Sequence, residues 1–233
     1  MSDWPTIHLA PAPRVVLTGE PPPLSDAIAA RVRSQWLSAT AERPELYDGR
    51  IFTATDITPE TITGFWCPYS RAMTQMREPT LYAELALRPL AVTALLLCPE
   101  GAVLGRRSNR AIYQPGLWQG VPAGSVESRS GESNVDLPEQ LRAEFLEELG
   151  LDARALTIGR ARVACEHPDT HIIDIAFEAH TTLSFSDLEA LWRQRGNEEY
   201  EALRLVPPGA FTEVAQDETV LPTTVAMLHA LRS

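Results

Sequence analysis

The chain has 233 residues, 44% hydrophobic and 22% charged, with a formal net charge of −11. That is the composition of an ordinary globular protein able to bury a sizeable core, and its acidity argues against a nucleic-acid polymer or an anionic membrane as partner. All twenty basic residues are arginine, which excludes a P-loop lysine, a lysine Schiff base and a lysine general base.

In chain order, residues 1–23 carry Pro5, Pro11, Pro13 and the run Pro21 to Pro23, so short extended pieces are predicted there and no helix. Ser25 and Asp26 open a helix to about Ala41, with Ile28, Val32 and Leu37 setting a rough period. Residues 49–56 and 61–66 read as two strands joined through Pro59, and a short helix follows over 70–77. From Arg88 the texture changes. Ala91 to Cys98 is a buried strand, turned by Pro99-Glu100-Gly101 into a second strand at 102–107. A loop rich in glycine and proline runs from Tyr113 to Gly124, and an acidic helix follows over about 137–149. Strands near 156–164 and 171–179, a helix near 185–195, a strand near 201–206 and a last amphipathic helix near 219–231 complete the chain, with Val220, Val225, Leu228 and Leu231 as core candidates. The expected class is α/β, an α/β/α sandwich with a mixed sheet over 88–233, preceded by a small α+β section over 1–87.

No apolar stretch is long enough for a membrane helix, and the start, Met1-Ser2-Asp3-Trp4, lacks the pattern of a secretion signal. Three unclustered cysteines, Cys67, Cys98 and Cys165, suit a reducing compartment, so a cytoplasmic location is expected.

Charge concentrates in one window. Between Glu127 and Asp152 eight acids face only Arg129 and Arg142, a local −6 of the chain's −11. Asp136 and Glu139 form a capping-box pattern at the start of the helix, and Gly150 ends it. Glu144, Glu147 and Glu148 stand at i, i+3 and i+4, so their carboxylates share an arc of about 100°. Leu141, Phe145 and Leu149 lie on a neighbouring face as its anchor. Glutamates so placed repel one another. A solvated face tolerates that, and a divalent cation with hard oxygen ligands turns it to use. Small residues in Gly116 to Glu127 let backbone approach an ion or a pyrophosphate closely.

The segments Pro122-Ala-Gly-Ser-Val-Glu127, Gly131-Glu132 and Ala143-Glu-Phe-Leu-Glu-Glu-Leu-Gly-Leu151 together resemble the box of the Nudix hydrolases, G-x5-E-x7-R-E-U-x-E-E-x-G-U with U aliphatic or aromatic. Seven residues instead of five separate Gly124 from Glu132, and ten instead of seven separate Glu132 from Ala143. Ala143 takes the place of the family's arginine, which helps to orient a glutamate of the site; the adjacent Arg142 is rotated by about 100° toward the apolar side. The resemblance implies Glu144, Glu147 and Glu148 as metal-binding carboxylates for Mg²⁺ or Mn²⁺, the Ala123 carbonyl as a further ligand, and Gly124, Glu132 and Gly150 as structural residues. It implies metal-assisted attack of water on a pyrophosphate, cleaving a nucleoside diphosphate linked to another moiety.

Other groups are candidates around this box. Glu198, Glu199 and Glu201 precede or open a strand, and Glu199 and Glu201 are taken as candidates for the general base, against the plain reading of a solvated turn. Arg106, Arg107 and Arg110 suit phosphate oxygens, and Trp118 and Tyr113 suit stacking on a base or sugar, against loop and core packing. Pro44 to Phe52 is similar to a stretch of UDP-glucose pyrophosphatase-like Nudix proteins, which implies a nucleotide-sugar pocket with Tyr47, Arg50, Phe52, Trp66 and Arg71 as wall residues. Cys165, His167 and His171 gather metal-ligand types, but without a fourth ligand the pattern reads as a strand connection and not as zinc. The expected partner is a small-molecule diphosphate, and the front section is a candidate dimerisation element. Competing readings are a non-catalytic metabolite sensor on the same fold, a coenzyme A or ADP-ribose pyrophosphatase, and an isomerase or acyl-CoA-type hydrolase.

Overall fold

The structure is a computed structural model that describes residues 4–128 and 135–231. The front of the chain supplies β1 (Thr6–His8), β2 (Arg14–Leu17), α1 (Asp26–Glu42), β3 (Arg50–Ile57), β4 (Thr61–Pro68), α2 (Tyr69–Arg77) and the one-turn α3 (Tyr82–Leu85). Then follow β5 (Leu90–Cys98), β6 (Gly101–Arg107), β7 (Trp118–Gly120), β8 (Ala123–Ser125), α4 (Leu137–Leu149), β9 (Thr157–Glu166), β10 (Ile173–His180), α5 (Phe185–Arg195), β11 (Tyr200–Val206), the one-turn α6 (Phe211–Val214) and α7 (Pro222–Ala230). No helix among the described residues is long and apolar enough to cross a membrane.

The large sheet runs β1-β9-β10-β5-β6-β11, with β7 on β6 and β8 on β5. It is mixed: β10 and β5 are parallel, and the other pairs are antiparallel. β5 lies in its middle and is covered on both faces, which is why it reads as a nearly unbroken apolar run. Leu90, Val92, Ala94 and Leu96 face Leu141, Phe145 and Leu149 of α4, and Leu188 of α5 joins the same core. Leu95, Leu104 and Ala176 face the other way, against Val220, Met227 and Leu228 around α7. Two helical layers on one sheet make the α/β/α sandwich.

The front section forms its own sheet, β2-β4-β3, backed by α1 and α2. It is not a separate globule. β1 is the edge strand of the large sheet, paired with β9, and Phe52, Ala54 and Ile62 are buried in the same core as α4. Backbone bonds cross too: Phe52 N donates to Val126 O at 2.8 Å and Ala54 N to Arg88 O at 2.9 Å.

One stretch departs from its sequence reading. The glycine- and proline-rich segment before Gly124 was expected as loop, yet it holds β7 and β8. Gly120 sits so close to β5 that a Cβ there would lie 2.3 Å from Ala94 O; the glycine that looks like a loop marker is what lets these strands approach. β5 and β6 pair directly only at their hairpin end, Leu96 to Cys98 against Val103 to Gly101. Beyond it they part: β8 joins β5 at Ala91 to Thr93, and β7 joins β6 at Leu104 to Arg106. The sheet forks there.

Candidate active site

α4 starts and stops where its sequence says. Asp136 caps it, accepting from Glu139 N at 2.9 Å, and Gly150 closes it at φ 67° with Leu151 N donating back to Phe145 O. The Glu139 carboxylate completes no capping box in this structure; it pairs with Arg142 at 3.1 Å. Arg142 is therefore a solvent-side residue, not one turned toward the apolar face, because the pairing at i, i+3 holds it over the helix surface.

With Leu141, Phe145 and Leu149 buried, Glu144 and Glu148, one turn apart, enter the fork of the sheet. A cavity of about 380 Å³ opens there, lined by Glu144, Glu148, Glu199, Ala123 and Gly124, and on its other walls by Arg107, Gln119 and Asp174. Glu147 is exposed and does not line it. One helical step separates it from Glu148, enough to turn it out to solvent. The structure thus brings together two of the three expected carboxylates.

Glu144 is fitted closely. A Cβ on residue 124 would lie 2.2 Å from its carboxyl carbon, so only glycine leaves it room. The buried Gln140 donates to Glu144 Oε1 at 2.5 Å, while its own carbonyl accepts from Glu127 N at 3.4 Å. Ala143 has nothing to orient a carboxylate with; Gln140, one turn upstream of Glu144, does so instead.

Glu148 is only 4% exposed. Tyr200 Oη donates to its Oε2 at 2.7 Å and Ala123 N donates to the same oxygen at 3.1 Å. Burial pushes its carboxyl well above the usual range, the Tyr200 hydroxyl and the Ala123 amide pull the other way, and the charges of Glu144 and Glu199 add to the rise. Behind Tyr200 a chain of hydrogen bonds continues. Gln119 Nε2 donates to Tyr200 Oη at 3.2 Å, Arg107 Nη1 donates to Gln119 Oε1 at 3.2 Å, and Arg107 Nη2 pairs with Glu199 at 3.0 Å. Arg107 Nε is held by Tyr113 O at 2.9 Å. Two acids that line one cavity, Glu148 and Glu199, are linked through a buried arginine.

The other sequence candidates fall in different places. Glu201 accepts from the backbone and side-chain amides of Asn109 and lies near Arg106; neither Glu201 nor Arg106 lines the cavity. Arg110 is on the surface beside Glu198. Trp118 packs in the α7 layer with the Arg204 guanidinium 4.6 Å over its ring, outside the cavity. Tyr47 is 81% exposed, Arg50 donates to Ser128, Phe52 and Trp66 pack edge to face, and Arg71 donates to Pro22 O, so none of these five forms a cavity wall. The front section contributes Arg43, Leu46, Tyr69 and Met76 instead. These were not legible in the sequence, because the first four reach the cavity through the packing of the front section, while Gln119 and Tyr200 meet through the pairing of β7 and β11 on either side of β6. A bulge between Tyr200 and Ala202 breaks the strand alternation and turns Tyr200 into the core that Leu203 and Leu205 flank, which no sequence period selects. Glu132 lies outside the described residues.

Cys165 is buried beside Thr6, His167 Nδ1 accepts from the amides of Asp169 and Thr170, and His171 pairs with Glu166 while stacking on Tyr82. Among the described residues no three histidine, cysteine or carboxylate groups converge as a metal cage, here or at Glu144 and Glu148. Two carboxylates at the wall of an open cavity nevertheless fit Mg²⁺, which keeps several waters and takes one or two carboxylates plus substrate phosphates. The buried, crowded Glu148 points the same way, because a cation there would offset the burial and, after it, the repulsion from Glu144 and Glu199 that raise its pKa.

No protein-family model matches the chain, and no curated protein is significantly similar to it. Solved structures do resemble it in backbone trace. A protein from Deinococcus radiodurans is 17% identical over 77% of this chain and 97% of its own, with a TM-score of 0.49. A Nudix hydrolase from M. smegmatis is 20% identical over 62% and 84%, with a TM-score of 0.40, and a C. elegans Ap4A hydrolase is 15% identical over 62% and 95%, with a TM-score of 0.44. At this level of likeness the site's own residues decide what it does.

Proposed function

We propose that the chain is a Nudix hydrolase, a metal-dependent pyrophosphohydrolase acting on a small diphosphate compound. The observation that carries this is the pair Glu144 and Glu148, set one turn apart on α4 at the wall of the forked-sheet cavity, with Gly124 leaving room for one and Ala123 N bonded to the other. Mg²⁺ or Mn²⁺ bound there would lower the pKa of an attacking water and neutralise charge on the leaving phosphate. Around it the chain's residues have separable tasks. Gln140 and Gly124 fix Glu144; Tyr200 and the Ala123 amide fix Glu148. Glu199, the one acid of its loop that lines the cavity, is the base assigned to take the water's proton, and Arg107 holds its carboxylate in place. A nucleotide sugar is the substrate we place first, since the front section walls the cavity with Leu46, Tyr69 and Met76.

The test is phosphate release with Mg²⁺ or Mn²⁺ from UDP-sugars, ADP-ribose, coenzyme A and dinucleoside polyphosphates. Wild type should turn over at least one, and Glu148→Gln should lower kcat by roughly a hundredfold or more while keeping the melting temperature. Glu147→Gln, on the exposed side, should cost less than Glu148→Gln. A sensor is the second reading, favoured by Ala143 in the box. It requires that wild type bind members of the panel and release phosphate from none.

A further inference from the structure

The acids of the cleft pose an electrostatic problem that one residue solves. A wider outer cavity of about 530 Å³, lined by Glu42, Glu45, Ser108, Arg110, Glu198 and others, shares Arg43, Ala111, Asn197 and Glu199 with the inner one. The two form one continuous cleft between the end of α1 and the loops before β7 and β11. A diphosphate entering it passes Glu45, Glu198 and Glu199 before it reaches Glu144 and Glu148. A metal held by Glu144 and Glu148 would compensate at the inner end only, so an anionic group farther out needs a cation of its own.

Without lysine, that cation is an arginine, and the cleft offers three. Arg107 is spent: its guanidinium is committed to Tyr113 O, Gln119 and Glu199 and is 10% exposed. Arg110 is 84% exposed and paired with Glu198. Arg43 lines both cavities, is half-buried, and has no carboxylate within salt-bridge distance among the described residues. Its one hydrogen bond from the guanidinium goes to the main-chain carbonyl of Arg110, leaving most of the fork unspent. Its backbone is fixed as well, since it caps α1 with its N–H on Ala39 O at 2.8 Å and Pro44 follows. A rigidly based guanidinium with spare donors is suited to a bidentate anion.

We infer that Arg43 receives a second anionic group of the substrate, a phosphate or carboxylate lying beyond the phosphate held at Glu144 and Glu148. The assignment rests on the reading of this cleft as a diphosphate site, and it makes Arg43 a specificity-determining residue contributed by the front section. The substrate class is thereby narrowed to compounds with a further anionic group beyond the scissile diphosphate, an extended phosphate chain or a nucleotide sugar whose sugar is itself acidic.

Calorimetric titration of wild type, Arg43→Ala and Arg43→Lys with inorganic pyrophosphate and inorganic tripolyphosphate, in Mg²⁺, tests it without turnover of an identified substrate. Tripolyphosphate should bind wild type more tightly than pyrophosphate does. Arg43→Ala should weaken tripolyphosphate by about tenfold or more, Arg43→Lys should restore part of that, and pyrophosphate should change less than about twofold. Arg43→Gln keeps an amide donor for Arg110 O and replaces Arg43→Ala should the latter melt early. Equal binding of tripolyphosphate by all variants overturns the assignment, as does equal weakening of both anions, or a wild type that binds tripolyphosphate no better than pyrophosphate. These outcomes are independent of the hydrolase reading, which fails separately if wild type releases no phosphate from any compound of the panel.

Discussion

Asp174 at the start of β10 is the second buried acid of the cavity wall. Its Oδ2 accepts from Thr223 Oγ1 at 2.8 Å, and burial raises its carboxyl from 3.8 to about 6, with the Thr223 bond and the Arg107 charge opposing the shift. A carboxyl whose folded pKa lies above its unfolded value binds its proton more tightly when folded. Its contribution to stability is full below about pH 4 and is lost as pH rises through about 6. Asp174→Asn keeps an acceptor for Thr223 and carries no charge. It should therefore be more stable than wild type at pH 8, by about 2–3 kcal/mol, and the advantage should shrink to nothing near pH 4; urea unfolding at both pH values measures it. At this scale the sequence was informative about chemistry and poor on neighbourhood. The i, i+3, i+4 glutamates were legible from spacing, but which two enter the cleft depends on where the helix leans. Arg107 was legible as a cation near the box, and its burial against Glu199 was not, since the partner lies on another strand.

Elements were read best where local chemistry sets their ends. α4 spans what its caps predicted, because Asp136 and Gly150 act through bonds to their own neighbours, and α5 lies where a helix was expected, with Ser184 as its cap. Gly150 adds a tertiary demand: at φ 67°, a Cβ would also meet Arg195 Cβ at 2.4 Å. Gly150→Ala should cost about 1–3 kcal/mol from backbone strain alone, visible as a lower urea midpoint, and α5 should loosen with it since Arg195 is its last residue. The short strands β7 and β8 escaped notice for the opposite reason. Three residues of strand carry no period, and their glycines serve close approaches that no local pattern encodes, Gly120 to Ala94 of β5 and Gly124 to the Glu144 carboxylate.

At the scale of the molecule, the two sections share one core. A fragment spanning 88–233 would lose Phe52, Ala54 and Ile62 from the cluster around α4 and the β1 edge from β9. Such a fragment should fail to give a cooperative unfolding transition, whereas the full chain should unfold in a single one; calorimetry of both decides it. The sequence changes texture near Arg88, but composition cannot reveal that the smaller sheet closes the larger core. The fork between β5 and β6 has a mechanical corollary. Strands that are hydrogen-bonded at one end and splayed at the other behave like a hinge pair held at the knuckle, and among the described residues the short β7 and β8 tie the open end. A ligand in the cavity touches both leaves at once, Gln119 of β7 and Ala123 and Gly124 of β8, so occupancy should slow amide exchange throughout β7 and β8.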